Sequence, residues 1–163
     1  CVAIGFQAGE TTQGDSTVAI GYQAGETAQG TLSVAIGEFA GRTNQDAQSI
    51  AVGNDAGGTD QGYSSIAIGS GAGSLTQATQ SIAIGTGAGT NQQAADSIAI
   101  GNGAFDAATT SGYTVAMGYM ALSAYTHAES SYNVAIGGHQ VAYLKTSGRF
   151  NTYIKNTKRG TVV

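Results

Sequence analysis

Ser33-Val-Ala-Ile-Gly37 and its near copies decide the fold of this chain of 163 residues. Each copy contains Val-Ala-Ile-Gly or a close variant. The copies begin at Val2, Val18, Val34, Ile50, Ile66, Ile82, Ile98, Val115 and Val134. The first seven starts stand sixteen residues apart, and the last two follow after seventeen and nineteen residues. A fixed period of this size indicates one small structural unit stacked on copies of itself.

Each unit has room for only one coil of a β-solenoid. Val18-Ala-Ile20 has the alternation of a strand, and Gly21 after it is a natural corner. We expect a second short strand at Tyr22-Gln-Ala24, because sixteen residues cannot hold a helix, two strands and their turns. The absence of Pro suits a chain whose backbone N–H groups are used in ladders. The sequence therefore predicts an all-β, parallel β-solenoid of about nine to ten coils.

The repeat is expected to divide the chain into two parts. Residues 1–137 form the predicted repeat domain, and residues 138–163 a degenerate coil with a basic cap or transition segment. Asn151-Thr-Tyr-Ile154 aligns with Asn133-Val-Ala-Ile136, but Tyr153 stands where a small Ala is usual. Because the chain begins inside a repeat and without Met, we also expect it to be a segment of a longer protein.

The side chains of one strand must point to opposite faces. We expect the first and third strand residues, and the Ala six residues after the start, to point into the coil. The middle Ala would then point outward, where a small apolar residue in every copy suggests close approach of another chain. These candidate interface residues are Ala3, Ala19, Ala35, Ala51, Ala67, Ala83, Ala99, Ala116 and Ala135.

Two polar rows are expected on the outside of the solenoid. Gln13, Gln29, Gln45, Gln61, Gln77 and Gln93 recur at one place in the repeat, and their amides could hydrogen-bond along the stack. A row of Thr11, Thr27, Thr43 and Thr59 resembles the rows with which flat solenoids bind ice, although it ends at Leu75 and Asn91.

The charge distribution argues against several classes of partner. Net charge is −4; all ten acidic residues lie at or before Glu129, and five of the six basic residues lie after it. An acidic body argues against nucleic acid as the main partner. The chain has no apolar run near eighteen residues, so we expect no membrane insertion by this segment.

Catalytic and metal-binding patterns are missing. Gly69-Ser-Gly71 and its equivalents lack the third glycine and the helix of a dinucleotide-binding loop. The aspartates share no single repeat position, which argues against calcium-binding repeats. His127 and His139 have no partner at metal-ligand spacing. We therefore expect no enzyme activity, no metal and no cofactor.

Aromatic residues gather towards the C-terminus, where the period loosens. A cap is the simpler interpretation, since solenoids need atypical ends. The alternative is a receptor-contact patch, because tyrosine clusters make good contact surfaces. Its candidate residues are Tyr113, Tyr119, Tyr125, Tyr132 and Tyr143.

Ser33-Val-Ala-Ile-Gly37 and Ser81-Ile-Ala-Ile-Gly85 resemble the head repeats of trimeric autotransporter adhesins of the YadA type. Ala-Ile-Gly-Tyr-Gln-Ala-Gly25 is also similar to repeats in fibre proteins of bacteriophages and large viruses. The resemblance covers about 135 residues. It implies a left-handed β-roll, a homotrimer and a surface-exposed fibre.

Together these observations predict a non-enzymatic attachment segment of an extracellular trimeric fibre, on a bacterial surface or a virion. Its expected partners are two further copies of the chain and a receptor on a host or abiotic surface, with a glycan as one candidate. A purely architectural spacer and an ice-binding solenoid remain the alternatives.

Overall fold

A computed structural model describes residues 1–105, 112–123, 132–138 and 152–154. Its fourteen strands, all of three residues, form two parallel sheets. The ten-stranded sheet contains β1 (Val2–Ile4), β3 (Val18–Ile20), β5 (Val34–Ile36), β7 (Ile50–Val52), β9 (Ile66–Ile68), β10 (Ile82–Ile84), β11 (Ile98–Ile100), β12 (Val115–Met117), β13 (Val134–Ile136) and β14 (Thr152–Ile154). The four-stranded sheet contains β2 (Thr11–Gln13), β4 (Thr27–Gln29), β6 (Thr43–Gln45) and β8 (Thr59–Gln61).

The stacking register follows the sequence repeat, which confirms the predicted β-solenoid. Val18 pairs with Val34, and the same residue of each later copy pairs with its neighbour. Register is also kept across the two longer spacings, from Ile98 to Val115 and from Val115 to Val134. In β14, Tyr153 pairs with Ala135, as the sequence alignment predicts.

The second strand of the coil lies later than expected. Residues 22–25 form a turn, and the strand follows at Thr27–Gln29. The turn contains Gln23 and Gly25 with φ values of 52° and 54°. Two left-handed residues so close together bend the chain sharply, so the expected strand at Tyr22-Gln-Ala24 is a corner instead.

The prediction of which strand face is buried is wrong. The middle alanines of β3, β5, β7 and β9–β13, which we call the inner alanines, have no exposed surface. These residues are Ala19, Ala35, Ala51, Ala67, Ala83, Ala99, Ala116 and Ala135. The first and third residues of the same strands are half-buried or exposed, and therefore point outward. Ala3, in the terminal coil, is exposed.

The width of the coil explains this reversal. Ala24 and its equivalents up to Ala121, six residues after each strand start, are buried as predicted and already occupy part of the interior, whereas Ala8 in the terminal coil is half-buried. A Cβ added at Gly25 would lie 3.4 Å from the Cβ of Ala19, so opposite walls nearly touch. Such an interior has room for methyl groups but not for a further row of Ile side chains.

The glutamines also lie inside rather than outside. Gln29, Gln45, Gln61, Gln77 and Gln93 are at most 1% exposed, whereas Gln13 is half-buried. The predicted amide-to-amide bonding is present. Gln77 Nε2 donates to Gln93 Oε1 at 3.3 Å and to the backbone carbonyl of Ile66 at 2.8 Å. We call this row, with Gln13, the glutamine ladder; it satisfies strand carbonyls from within the core.

Two sets of glycines allow the coils to stack. The corner glycines, with φ between 123° and 136°, directly follow each strand of the ten-stranded sheet except β14. They are Gly5, Gly21, Gly37, Gly53, Gly69, Gly85, Gly101, Gly118 and Gly137. The partner glycines lie four residues before each ladder glutamine, and a Cβ added at any of them would collide with the amide of that glutamine. They are Gly9, Gly25, Gly41, Gly57, Gly73 and Gly89.

The core changes character towards the C-terminus. Phe105 and Leu122 stand where earlier coils have a partner glycine, and both are 1% exposed. Four residues after each, the sequence has Thr109 and Thr126 instead of Gln. A large apolar side chain thus appears only where the glutamine is lost. The sequence therefore combines glycine with glutamine in the earlier coils, and Phe or Leu with threonine in the later ones.

Candidate interaction surfaces

The outward side of the ten-stranded sheet carries two apolar rows. We call them the aliphatic face: the first and third residues of β1, β3, β5, β7 and β9–β13. Every one is Val, Ile or Met. Ile68 is 38% exposed and Ile136 40%, although neighbouring coils cover both on two sides. The face is therefore a continuous apolar surface along the solenoid axis, without a charged side chain in either row.

The inner alanines cannot form the proposed interface directly. A side chain with no exposed surface in the single chain has none to offer to a second chain. The side chains alternate as predicted, but the alanines point inward and the residues on either side of them point outward. Any contact between chains along this sheet must be made by the aliphatic face.

Two of the candidate receptor tyrosines lie together. Tyr113 and Tyr132 stack on each other, with ring centroids 4.8 Å apart and planes 3° apart. Tyr119 is exposed on another corner of the coil. Tyr125 and Tyr143 lie outside the described residues. The stacked pair covers one face of each ring, which reduces the area that could stack on a sugar.

A second aromatic group lies near the N-terminus and was missed by the sequence reasoning. Tyr22 stacks on Phe6 at 5.4 Å and meets Phe39 edge-on at 5.4 Å. The guanidinium of Arg42 lies 5.1 Å from the centre of the Phe39 ring. The signal was present in the sequence, because Phe6 and Tyr22 are one repeat apart and directly follow corner glycines.

A shallow polar groove of about 580 Å³ runs across the first four coils. Its walls include Thr12, Thr31, Asn44, Asp46 and Asp60. Asn44 Nδ2 donates a hydrogen bond of 2.8 Å to Asp60 Oδ1, so the coils are also linked across this outer surface. The predicted threonine row, Thr11 to Thr59, lies in register along the four-stranded sheet beside it.

One carboxyl group has an altered acidity. Asp55 is half-buried over Gly58, and burial raises its pKa, while the charge of Arg42 partly offsets this effect. The ionised form is thus less favourable in the folded chain than in the unfolded chain. Asp55 therefore supports folding while it is protonated, and this contribution is lost as the pH rises through its raised pKa.

Replacing Asp55 by Asn should accordingly stabilise the chain at neutral pH. Asn cannot ionise, and it tolerates the left-handed φ of 53° found here. The midpoint of thermal unfolding should be higher than that of the unchanged chain at pH 7, and the difference should vanish in acid. Asp15→Asn, at an exposed carboxyl, is the control. A gain that is the same at both pH values would refute the assignment.

Neither a metal centre nor a membrane span is found in the described part of the chain. No group of three His, Cys, Asp or Glu residues there is placed to hold a metal ion. No helix in the same residues is suited to crossing a bilayer. In comparisons with known proteins, no family model, no curated protein and no solved structure matches this chain.

Proposed function

We propose that this chain is a non-enzymatic segment of a trimeric extracellular fibre that holds or presents an attachment surface. The observation that carries the proposal is the aliphatic face. Soluble monomers seldom expose contiguous apolar patches larger than a few hundred Å², and larger ones mark interaction sites. Here two apolar rows extend unbroken across nine strands.

A second copy of the same chain fits this surface best. The face repeats with the strand spacing of about 4.8 Å, so a parallel copy presents the same spacing and can match it along its whole length. Neither row contains a charge that would have to be buried unpaired. The number of three chains and the left-handed coil come from the resemblance to YadA-type heads, as does the location on a bacterial surface or virion.

The attachment role rests on the same resemblance. Exposed aromatic residues at two corners, Tyr22 with Phe6 and Tyr113 with Tyr132, offer contact surfaces away from the inner core. A receptor on a host or abiotic surface, with a glycan as one candidate, would be bound there. Binding of the intact segment to host cells separates attachment from a purely architectural role.

Charging the aliphatic face should dissociate the fibre without unfolding the chain. Ile68→Glu combined with Ile84→Glu places two carboxylates in the proposed interface, where desolvation would oppose assembly. Light scattering should give a mass about one third of that of the unchanged assembly. Far-UV circular dichroism should stay the same, because both side chains point away from the core.

The matched control adds the same charges to the same two coils elsewhere. Thr76 and Gln92 are exposed and lie outside the aliphatic face, so Thr76→Glu with Gln92→Glu should leave the mass unchanged. A single-chain mass for the unchanged protein would refute self-association. An undiminished mass for the Ile variants would show that chains meet through another surface.

A further inference from the structure

We propose that Tyr113 and Tyr132 are an oxidative cross-linking site, at which a one-electron oxidant of the peroxidase class joins the two rings as dityrosine. The rings are parallel within 3°, their centroids are 4.8 Å apart, and Tyr113 is 55% and Tyr132 45% exposed. The pair is thus both preorganised for coupling and open to an external oxidant. This inference does not depend on the proposed fibre function.

The solenoid itself holds the two rings together. Tyr113 lies two residues before β12 and Tyr132 two residues before β13, and these strands pair in register. Both tyrosines occupy the same left-handed turn, with φ of 58° and 66°. Side chains at equivalent turn positions leave the backbone in the same direction, so one ring lies on the other. Neighbouring Thr114 and Asn133 are each 1% exposed.

Stacking at 4.8 Å keeps the two phenols close enough for their phenoxyl radicals to couple. Each phenol gives one electron and one proton to the oxidant, which leaves two phenoxyl radicals with spin density at the carbons beside the oxygen. A bond forms between one such carbon (Cε) of each ring. The hydrogen on each of these carbons then moves to the oxygen and restores two phenols. One hydrogen peroxide, acting through the peroxidase, accepts the two electrons and two protons and becomes two waters.

Two other described tyrosines, Tyr22 and Tyr63, have neighbours other than a phenol. Tyr22 contacts the rings of Phe6 and Phe39. Tyr63 donates its hydroxyl hydrogen to Gln48 Oε1 at 2.9 Å. Only at Tyr113 and Tyr132 do two phenols stack among the described residues. The product would be a covalent link between adjacent coils, which restricts the unfolded chain as a disulfide does.

The test treats the full chain with a heme peroxidase and hydrogen peroxide. We expect dityrosine fluorescence, loss of two hydrogen atoms by mass spectrometry, and single-chain mobility on a denaturing gel. Glu129 is the only Glu between the two tyrosines. Cleavage of the denatured product after Glu residues should therefore leave the two flanking fragments joined. Fragments that separate, or a product made mainly of linked chains, would overturn the proposal.

Conservative variants make the test specific. Tyr113→Phe and Tyr132→Phe keep a ring in the stack and should each abolish the fluorescence. Tyr22→Phe removes a phenol that is 46% exposed and contacts the rings of Phe6 and Phe39, and it should leave the fluorescence unchanged. Fluorescence that persists in both stack variants would refute the site.

A gain-of-function variant tests the geometry itself. Phe6 lies 5.4 Å from Tyr22 with ring planes 13° apart, so Phe6→Tyr would place a second phenol in a comparable stack. We expect a second cross-link, detected as two fragments still joined after cleavage at Glu10. A folded Phe6→Tyr variant without this link would show that stacking across coils is not sufficient, and would overturn the argument.

Discussion

Gly69→Ala should prevent stable folding of the solenoid around the fifth coil. Gly69 has φ of +125°, a conformation open to glycine but strained for alanine. An added Cβ would lie 2.7 Å from the carbonyl carbon of Gly85 and 2.8 Å from its oxygen. Backbone strain costs about 1–3 kcal/mol, and forcing an extra methyl into a packed site costs about 1–3 kcal/mol more. Because the atoms in the way belong to the backbone of Gly85, no side-chain rotation can relieve the clash.

Gly71→Ala, two residues away, is the matched control. Its φ is +66°, and nothing lies within 4 Å of an added Cβ. The only cost of this alanine is therefore that of the left-handed backbone conformation, about 1–2 kcal/mol. Thermal unfolding followed by circular dichroism should show a much larger loss for Gly69→Ala. Equal melting temperatures for the two variants would mean that the contact with Gly85 relaxes easily.

Gly73→Leu and Gln77→Thr should each destabilise the chain but should partly rescue each other. A Cβ on Gly73 would lie 2.8 Å from Gln77 Oε1, so a leucine there collides with the ladder amide. Gln77→Thr removes the donor to the Ile66 carbonyl and leaves a void. An unsatisfied buried acceptor costs about 1–3 kcal/mol, and the void adds to this loss.

The double variant copies a solution already present in the chain. In two later coils, the sequence positions of the glycine and the glutamine are occupied by Phe105 and Thr109, and by Leu122 and Thr126. We expect the double variant to be more stable than the sum of the single losses implies, by about 0.5–3 kcal/mol, as for other residues in contact. Chemical denaturation of the unchanged protein, the two single variants and the double variant measures this coupling. If the two stability losses are strictly additive, the substitutions at residues 73 and 77 do not compensate for each other.

The stacking of this protein could be predicted from the spacing of Val18, Val34 and their equivalents, because a constant period fixes a constant register. Which face of each strand points into the core could not be predicted in this way. Alternation shows that Ala67 and Ile68 point to opposite sides, but either side could be the core. The decision depends on the width of the coil, and that width depends on turns whose left-handed residues, such as Gln23, carry no clear sequence signal.

The interior position of the glutamine ladder could not be predicted for a related reason. Gln is usually exposed, and composition alone gives no sign that Gln77 could satisfy a carbonyl inside the coil. The periodic pairing of Gly73 with Gln77, and the loss of both features together at Leu122, was visible in the sequence and could have indicated contact. The tyrosine stack could have been predicted, because Tyr113 and Tyr132 each lie two residues before a repeat start, Val115 or Val134, that the sequence identifies.

The drift in period has a practical meaning. Strands β11, β12 and β13 remain in register although their repeats are one and three residues longer than sixteen. Alignment of the repeats places the extra residues between Phe105 and Gly112 and between Ser123 and Tyr132 in the sequence. The same place in the earlier coils is therefore where a foreign peptide could be grafted. A chain with several such grafts would display them in a row, and the distance between any two would be a whole multiple of one strand separation.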